Sequence, residues 1–266
     1  DTFGYDFVFG FALEDAMSGR TAVSFNTFQP SFKEDERDNI VANWLTIVNL
    51  EQRPQQFTVL SYDQMGTLLL RRQLEVPSFG RVDVDGGHDL AGPSVVGSHI
   101  ILPADETIKY ISLLTRFGGN VPAGYAPSEY RFAFPLMARR GASQAVYAPI
   151  TNKFEEFNWL EVINILDEEV RAAVSLYSAD GQLLEAVDVV LAAHAQEHID
   201  AARFVGAGNV GYAVVIPKTP NSLVAQSMVY YRDAATGSIT SLYGSQARRA
   251  YPCSVAGSYN LFLNME

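Results

Sequence analysis

Residues 43–49 read Asn-Trp-Leu-Thr-Ile-Val-Asn, and residues 158–164 read Asn-Trp-Leu-Glu-Val-Ile-Asn. One apolar segment therefore occurs twice, at an offset of 115 positions (158 − 43 = 115). Its β-branched, aliphatic and aromatic residues are typical of a β-strand. Self-similarity at a fixed offset indicates repeated structural units. The sequence thus predicts two modules of the same kind.

The repeat extends well beyond this segment. At or near the same offset lie the pairs Tyr62 and Tyr177, Gly66 and Gly181, Leu68-Leu69 and Leu183-Leu184, and Val96-Gly97 and Val210-Gly211. Before each Trp segment, an aromatic block also recurs, at residues 5–9 and 130–134. Ala138-Arg139-Arg140 returns as Ala247-Arg248-Arg249, and residues 259–264 resemble the opening of a third segment. The chain holds two modules and a fragment.

Local patterns predict that both modules consist of β-strands. Residues 57–62 and 172–177 are short β-rich runs, and Gly66 and Gly181 follow them where a tight hairpin loop needs a positive φ. Similar runs bounded by Gly or Pro give about seven strands per module, which is typical of a β-sandwich. Residues 191–204 have helical composition, but their repeat partner, residues 76–80, is a poor helix former. The repeat therefore favours strand there.

The predicted fold class is all-β, with two tandem β-sandwich domains and extra terminal strands. We expect N-terminal aromatic strands in residues 1–30, which form the first part of the repeat and are candidates for exchange between subunits. Residues 31–126 should form the first sandwich and residues 127–238 the second. Residues 239–266 should form C-terminal strands of a partial third repeat.

The N-terminus carries a strictly alternating aromatic pattern. Such a segment places five rings on one face of a strand, and burying each is worth roughly 1.5 to 3 kcal/mol. Two interpretations stay open: the strand completes its own sandwich, or it completes a sheet in a neighbouring subunit. The candidate assembly interface consists of Phe3, Tyr5, Phe7, Phe9, Phe11, Leu261 and Leu263.

Composition excludes several classes of function. The formal charge of −11 disfavours nucleic acid and anionic lipid as partners. No apolar stretch reaches the 18 or so residues that a membrane helix needs, so no membrane insertion is expected. The chain opens with Asp1, which fits a cleaved secretory precursor or a trimmed chain. The single Cys253 forms no internal disulfide, and either a free thiol or a link between two chains remains open.

Two motifs suggest metal chemistry. His194, Glu197 and His198 fit the H-x-x-E-H pattern of inverted zinc proteases, but the first module has no counterpart. A Gly-bearing loop contains Asp83, Asp85 and Asp89, oxygen ligands that suit calcium, yet it lacks a complete EF-hand pattern. A polar turn and a solvated loop are the favoured interpretations. We therefore expect no catalytic residue, no cofactor and no metal.

The two tryptophans at equivalent positions, Trp44 and Trp159, admit two interpretations. Each could be a platform on which a sugar stacks. Their place at the start of an apolar strand in both modules favours core packing instead.

The pattern of residues 43–49, then Val59 to Asp63 with Gly66, resembles the tandem Ig-like sandwich modules common in exported bacterial surface proteins. The resemblance covers about three quarters of the chain. It implies two Ig-like sandwiches, export, and a binding or structural role without a shared active site. We expect a secreted, non-catalytic structural subunit of a filament or cell-surface assembly, built from identical copies by head-to-tail strand exchange. The alternative is an accessory or adhesion module that binds glycans or other surface proteins.

Overall fold

A computed structural model of the chain describes residues 16–27, 39–87, 95–120, 129–153, 157–232 and 239–249. This part contains seventeen strands and one helical turn. Their bounds are β1 Thr21–Asn26, β2 Asn39–Asn49, β3 Gln55–Asp63, β4 Leu68–Val76, β5 Arg81–Asp85, β6 Val96–Pro103, β7 Tyr110–Asn120, β8 Glu129–Met137, β9 Val146–Thr151, β10 Phe157–Asn164, β11 Val170–Ser178, β12 Leu183–Leu191, β13 Gln196–Asp200, α1 Ala202–Val205, β14 Val210–Pro217, β15 Leu223–Arg232, β16 Ile239–Gln246 and β17 Arg248–Arg249.

The strands form four antiparallel sheets, two in each sandwich. Sheet 1 has the order β1-β6-β3-β4 and sheet 2 the order β5-β2-β7-β8. Sheet 3 has the order β13-β10-β15-β16 and sheet 4 the order β12-β11-β14-β9-β17. The prediction of an all-β protein with two β-sandwiches is confirmed.

The repeat is visible strand by strand. The strands β3, β4 and β5 recur as β11, β12 and β13 at the offset of 115 found in the sequence. Both predicted hairpins are confirmed: β3 pairs with β4, β11 pairs with β12, and Gly66 and Gly181 each have φ 86°. Within residues 191–204 lie the end of β12, the strand β13 and most of the single turn α1. This stretch therefore contains a strand, as the repeat predicted, and not the long helix that its composition favours.

Strand pairing divides the chain differently from the ranges expected above. β1, from the expected N-terminal segment, pairs with β6, and β8, from the expected second sandwich, pairs with β7. β16, from the expected terminal fragment, pairs with β15. The first sandwich thus comprises β1 to β8 and the second β9 to β17. The sequence of a short alternating strand does not show which strand it pairs with. Pairing depends on the core that its buried side chains join, and Phe134 and Leu136 of β8 lie in the first core.

Each sandwich has its own apolar core. In the first, Phe25, Leu45, Ile47, Phe57 and Ile101 are almost fully buried, and in the second the same holds for a set that includes Leu160, Val162, Val174, Leu176 and Val215. The expectation that both tryptophans lie in the core is wrong for one of them. Trp159 packs against the first core, whereas Trp44 is 41% exposed.

Sheets 1 and 3 pack against each other, so the two sandwiches are joined through a shared buried layer. Ala22 and Ile100 of sheet 1 contact Ile163 and Val224 of sheet 3 in one apolar cluster. At the same junction the Arg20 guanidinium donates a 2.7 Å hydrogen bond to the carbonyl of Ile165. The sandwiches therefore lie side against side, which differs from the in-line arrangement that a simple tandem repeat suggests.

Candidate functional site

A cleft of about 510 Å³ lies between the two sandwiches, and five cationic side chains line it. We call it the basic cleft. Its cations are Lys109 from the loop before β7, Arg139 and Arg140 after β8, and Arg248 and Arg249 of β17. Among the described residues that line it there is no aspartate or glutamate. Such a cluster is unexpected in a chain with a formal charge of −11.

The repeated Ala-Arg-Arg sequence brings two of these pairs together. The first pair follows β8, where Arg139 exchanges two 2.8 Å backbone hydrogen bonds with Ala22 of β1. The second pair is β17 itself, in which Arg248 lies opposite Tyr147 and Arg249 opposite Val146 on β9. The first pair follows β8, the last strand in the order of sheet 2, and the second pair follows β16, the last strand in the order of sheet 3. The side-against-side packing then places both at one junction.

Neighbouring groups hold one side of the basic cleft in place. The Nε of Arg139 donates a 2.9 Å hydrogen bond to Oε1 of Gln246. Tyr110, which lies next to Lys109 in the chain, donates from its hydroxyl to the carbonyl of Gly19 at 2.7 Å. Burial raises the pKa of Tyr110, so this hydroxyl keeps its proton at neutral pH. The carboxylate of Glu106 lies against Gly19, beside the cleft.

The exposed cations of the basic cleft can bind an anionic group. Lys109, Arg140, Arg248 and Arg249 are exposed, and guanidinium groups bind carboxylate, sulfate or phosphate through paired hydrogen bonds. In the described part of its lining, no histidine, cysteine or carboxylate is present to act as nucleophile or general base. The cleft can hold an anionic group, and its apolar residues Met17 and Val146 can contact an apolar one.

Both ends of the described structure reach the basic cleft. Ala16 and Arg249, the first and last described residues, are among those that line it. Met17 exchanges backbone hydrogen bonds of 2.9 and 3.0 Å with Tyr110, the first residue of β7. Two residues further along β7, the carbonyl of Ser112 accepts the backbone N–H of Ala138. The predicted interface residues Phe3, Tyr5, Phe7, Phe9, Phe11, Leu261 and Leu263, like Cys253, lie outside the described residues.

The H-x-x-E-H residues do not form a zinc site in the structure. His194 lies in a loop with φ 60°, stacks on Tyr62 at 4.1 Å, and places its Nε2 3.1 Å from Asp167. Burial lowers the pKa of His194. His198 lies on the extended strand β13, where the helix that would bring the two imidazoles to one metal is absent. No group of three or more potential ligands is found in the described ranges.

Two of the three aspartates of the acidic motif, Asp83 and Asp85, accept hydrogen bonds from nearby residues. Asp83 accepts from Arg81 at 2.8 Å and from Thr46 at 2.5 Å. Asp85 accepts the backbone N–H of Gly87 at 2.9 Å, and Asp89 lies outside the described residues. Asp83 and Asp85 thus lie on strand β5, paired with β2, so the prediction of a solvated loop is wrong for these two residues.

A buried polar group in sheet 3 was not found by sequence reasoning. Glu161 is fully buried, and its Oε2 accepts a 2.6 Å hydrogen bond from Nε2 of Gln226. His198 lies 4.0 Å from the other carboxylate oxygen. Strand register places these three side chains in one row across β13, β10 and β15. The row lies on the face of sheet 3 that also carries Ile163 and Val224, which pack against sheet 1.

A second buried polar group lies in the first sandwich. The fully buried Arg116 donates to Oδ1 of Asn43 at 3.2 Å and lies 5.5 Å above the ring of Phe134. Tyr230, from the second sandwich, enters this region and accepts a 2.8 Å hydrogen bond from Asn26. Burial raises the pKa of Tyr230 to about 12. The side chain thus connects the two sandwiches as a neutral phenol.

No family model and no curated protein matches this chain. The chain is similar in fold to Thermotoga maritima 1070, with 9% identity, a TM-score of 0.33, and coverage of 46% of this chain and 94% of that one. A β-glucuronidase from Ruminococcus gnavus gives 11% identity, a TM-score of 0.19, and coverage of 86% and 36%. A β-galactosidase from Bacteroides fragilis gives 8% identity, a TM-score of 0.18, and coverage of 86% of this chain and 32% of that one.

This chain spans only about a third of the two glycosidase structures. At such identities and TM-scores the likeness carries no argument about function. In the described residues no helix is long and apolar enough to cross a membrane.

Proposed function

We propose that this chain is a non-catalytic structural subunit of an extracellular surface assembly, and that identical copies associate head to tail. The observation that carries the proposal is the basic cleft, which gathers five cationic side chains at the junction of the two sandwiches in a chain with a formal charge of −11. The sequence resemblance to Ig-like modules of exported surface proteins supports the extracellular location.

Two further features support self-association. β17 is a two-residue strand at the edge of sheet 4, and an edge strand is the place where a strand from another chain can add. The cleft offers five cations that can bind an acidic segment. Head-to-tail contact between different surfaces of identical copies does not close on itself, so it generates filaments.

Deleting residues 1–13 from the full chain is expected to abolish assembly. The reason is that the deletion removes all five alternating aromatic residues while leaving every described strand intact. Sedimentation velocity and negative-stain microscopy should show filaments for the full chain of 29.2 kDa and, for the deletion, single particles of slightly smaller mass. A deleted chain that assembles as before would contradict the proposal.

A second candidate function is carbohydrate binding, and the 41% exposure of Trp44 favours it. An exposed indole offers a flat apolar face on which a sugar ring can stack. On this alternative the full chain stays a monomer and binds glycans on an array, and Trp44→Ala loses that binding. Tyr147→Ala, at an exposed aromatic on the other sandwich, serves as the control variant.

A further inference from the structure

We propose that the basic cleft is the docking site for residues 1–15 of a neighbouring copy of this chain. The inference rests on the proposed self-association and specifies which end donates and which surface accepts. Residues 1–15 contain Asp1, Asp6, Glu14 and Asp15 and no lysine or arginine. The described lining of the cleft has the opposite composition, with five cations and no carboxylate.

Charge complementarity steers the two surfaces together and sets the direction of association. Exposed ion pairs each contribute little, so apolar contact must supply most of the affinity. The basic cleft provides such contact through Met17, Ala142 and Val146 beneath the cations. A volume of about 510 Å³ suits a few side chains and is too small for a whole segment. One or two of the alternating rings should therefore enter it while the carboxylates bind at its rim.

The geometry of the cleft also offers main-chain hydrogen bonds. β17 pairs with β9 and, among the described strands, is the last in the order of sheet 4. An extended segment with alternating side chains can add to such an edge, presenting one face to the cleft and the other to solvent. The strict alternation from Phe3 to Phe11 has the required period.

A charge-swap experiment on the full chain tests the proposal. One variant reverses the cleft, with Arg140→Glu and Arg249→Glu, and a second reverses the segment, with Asp1→Lys and Asp15→Lys, at odd positions that share the face of the rings in an extended segment. Either variant alone should associate at least about tenfold more weakly than wild type, as sedimentation velocity measures. An equimolar mixture should recover assembly, because the segment of each variant is complementary to the cleft of the other.

The matched control reverses two exposed arginines outside the basic cleft, Arg71→Glu and Arg171→Glu, with the same change in net charge. This control should assemble like wild type. Because all substituted cleft and control side chains are exposed, circular dichroism should show unchanged folding for these variants.

Each remaining outcome contradicts a different statement. A wild-type chain that stays monomeric would overturn both the proposed function and this inference. Assembly that persists in the cleft variant, or a mixture that recovers nothing, would leave self-association standing and overturn the docking site. Polygalacturonate that binds wild type and the segment variant but not the cleft variant, with assembly unchanged in all three, would assign the cleft to an acidic carbohydrate instead.

Discussion

Asn164→Ala is expected to lower the free energy of unfolding by about 3 kcal/mol, because the side chain of Asn164 bonds three carbonyls and one amide. Its Nδ2 lies 2.7 Å from the carbonyl oxygens of Glu168 and Ala192, and 3.3 Å from that of Leu191. Its Oδ1 accepts the N–H of Leu166 at 2.9 Å. Alanine would leave these backbone groups without partners in a buried place. Urea unfolding followed by circular dichroism measures the loss.

The repeat supplies a replicate of this experiment. Asn49 makes the same set of bonds in the first sandwich, with Nδ2 to the carbonyls of Arg53, Val76 and Pro77. Asn49→Ala should therefore have an effect of similar size. Asn209→Ala, at an exposed residue, should change stability by less than about 0.5 kcal/mol. If Asn164→Ala behaves like Asn209→Ala, this bonding does not stabilise the fold.

This bonding explains why the repeated segments end in asparagine. In both copies the last residue of the strand connects the following turn to the strand that returns, so the residue type is fixed by backbone groups that need partners. The sequence predicted the strands and hairpins for a related reason. Gly66 and Gly181 occupy positions with positive φ, which is a local requirement and therefore visible in the sequence.

The packing of the two sandwiches was not predictable in the same way. Trp44 and Trp159 occupy equivalent positions, yet one is exposed and the other is covered by the neighbouring sandwich. A sequence repeat describes each module alone. It carries no information about which faces meet.

The basic cleft was missed for the same reason. The recurrence of Ala-Arg-Arg was visible, but its two copies are 109 positions apart (248 − 139 = 109) and lie in different modules. Only the side-against-side packing brings Arg140 and Arg249 to one cleft. The available signal was two adjacent arginine pairs at equivalent positions in a strongly acidic chain. This signal showed that both modules carry an arginine pair, but not that the two pairs lie at one cleft.

His99 is expected to make stability depend on pH below about 6.5. The imidazole is fully buried and stacks on Phe25 at 4.7 Å. Its Nε2–H donates to the carbonyl of Gly86 at 2.8 Å, which leaves Nδ1 to accept from the hydroxyl of Ser61 at 2.9 Å. Burial lowers the pKa of His99 to about 4 from its usual 6.5. The folded state therefore holds a neutral imidazole through most of the acidic range.

The sign of the effect follows from which state binds the proton. Above pH 6.5 both states are neutral and the stabilising contribution of His99 is complete. As the pH falls from 6.5 towards 4, the unfolded chain binds a proton that the folded chain does not, and the free energy of unfolding decreases. A shift from 6.5 to about 4 corresponds to roughly 3 kcal/mol over this window.

His99→Gln isolates this contribution, because glutamine can keep a hydrogen bond in the same place and does not titrate. Unfolding free energies of wild type and variant should be measured by urea denaturation between pH 7 and pH 4. The carboxylates that titrate in this range are common to both proteins and cancel in the difference. The wild type should exceed the variant most at pH 7, and the difference should shrink by roughly 3 kcal/mol at pH 4. Two parallel curves would show that the imidazole binds its proton equally well in the folded and unfolded states, with the Ser61 hydroxyl then accepting from Nδ1–H.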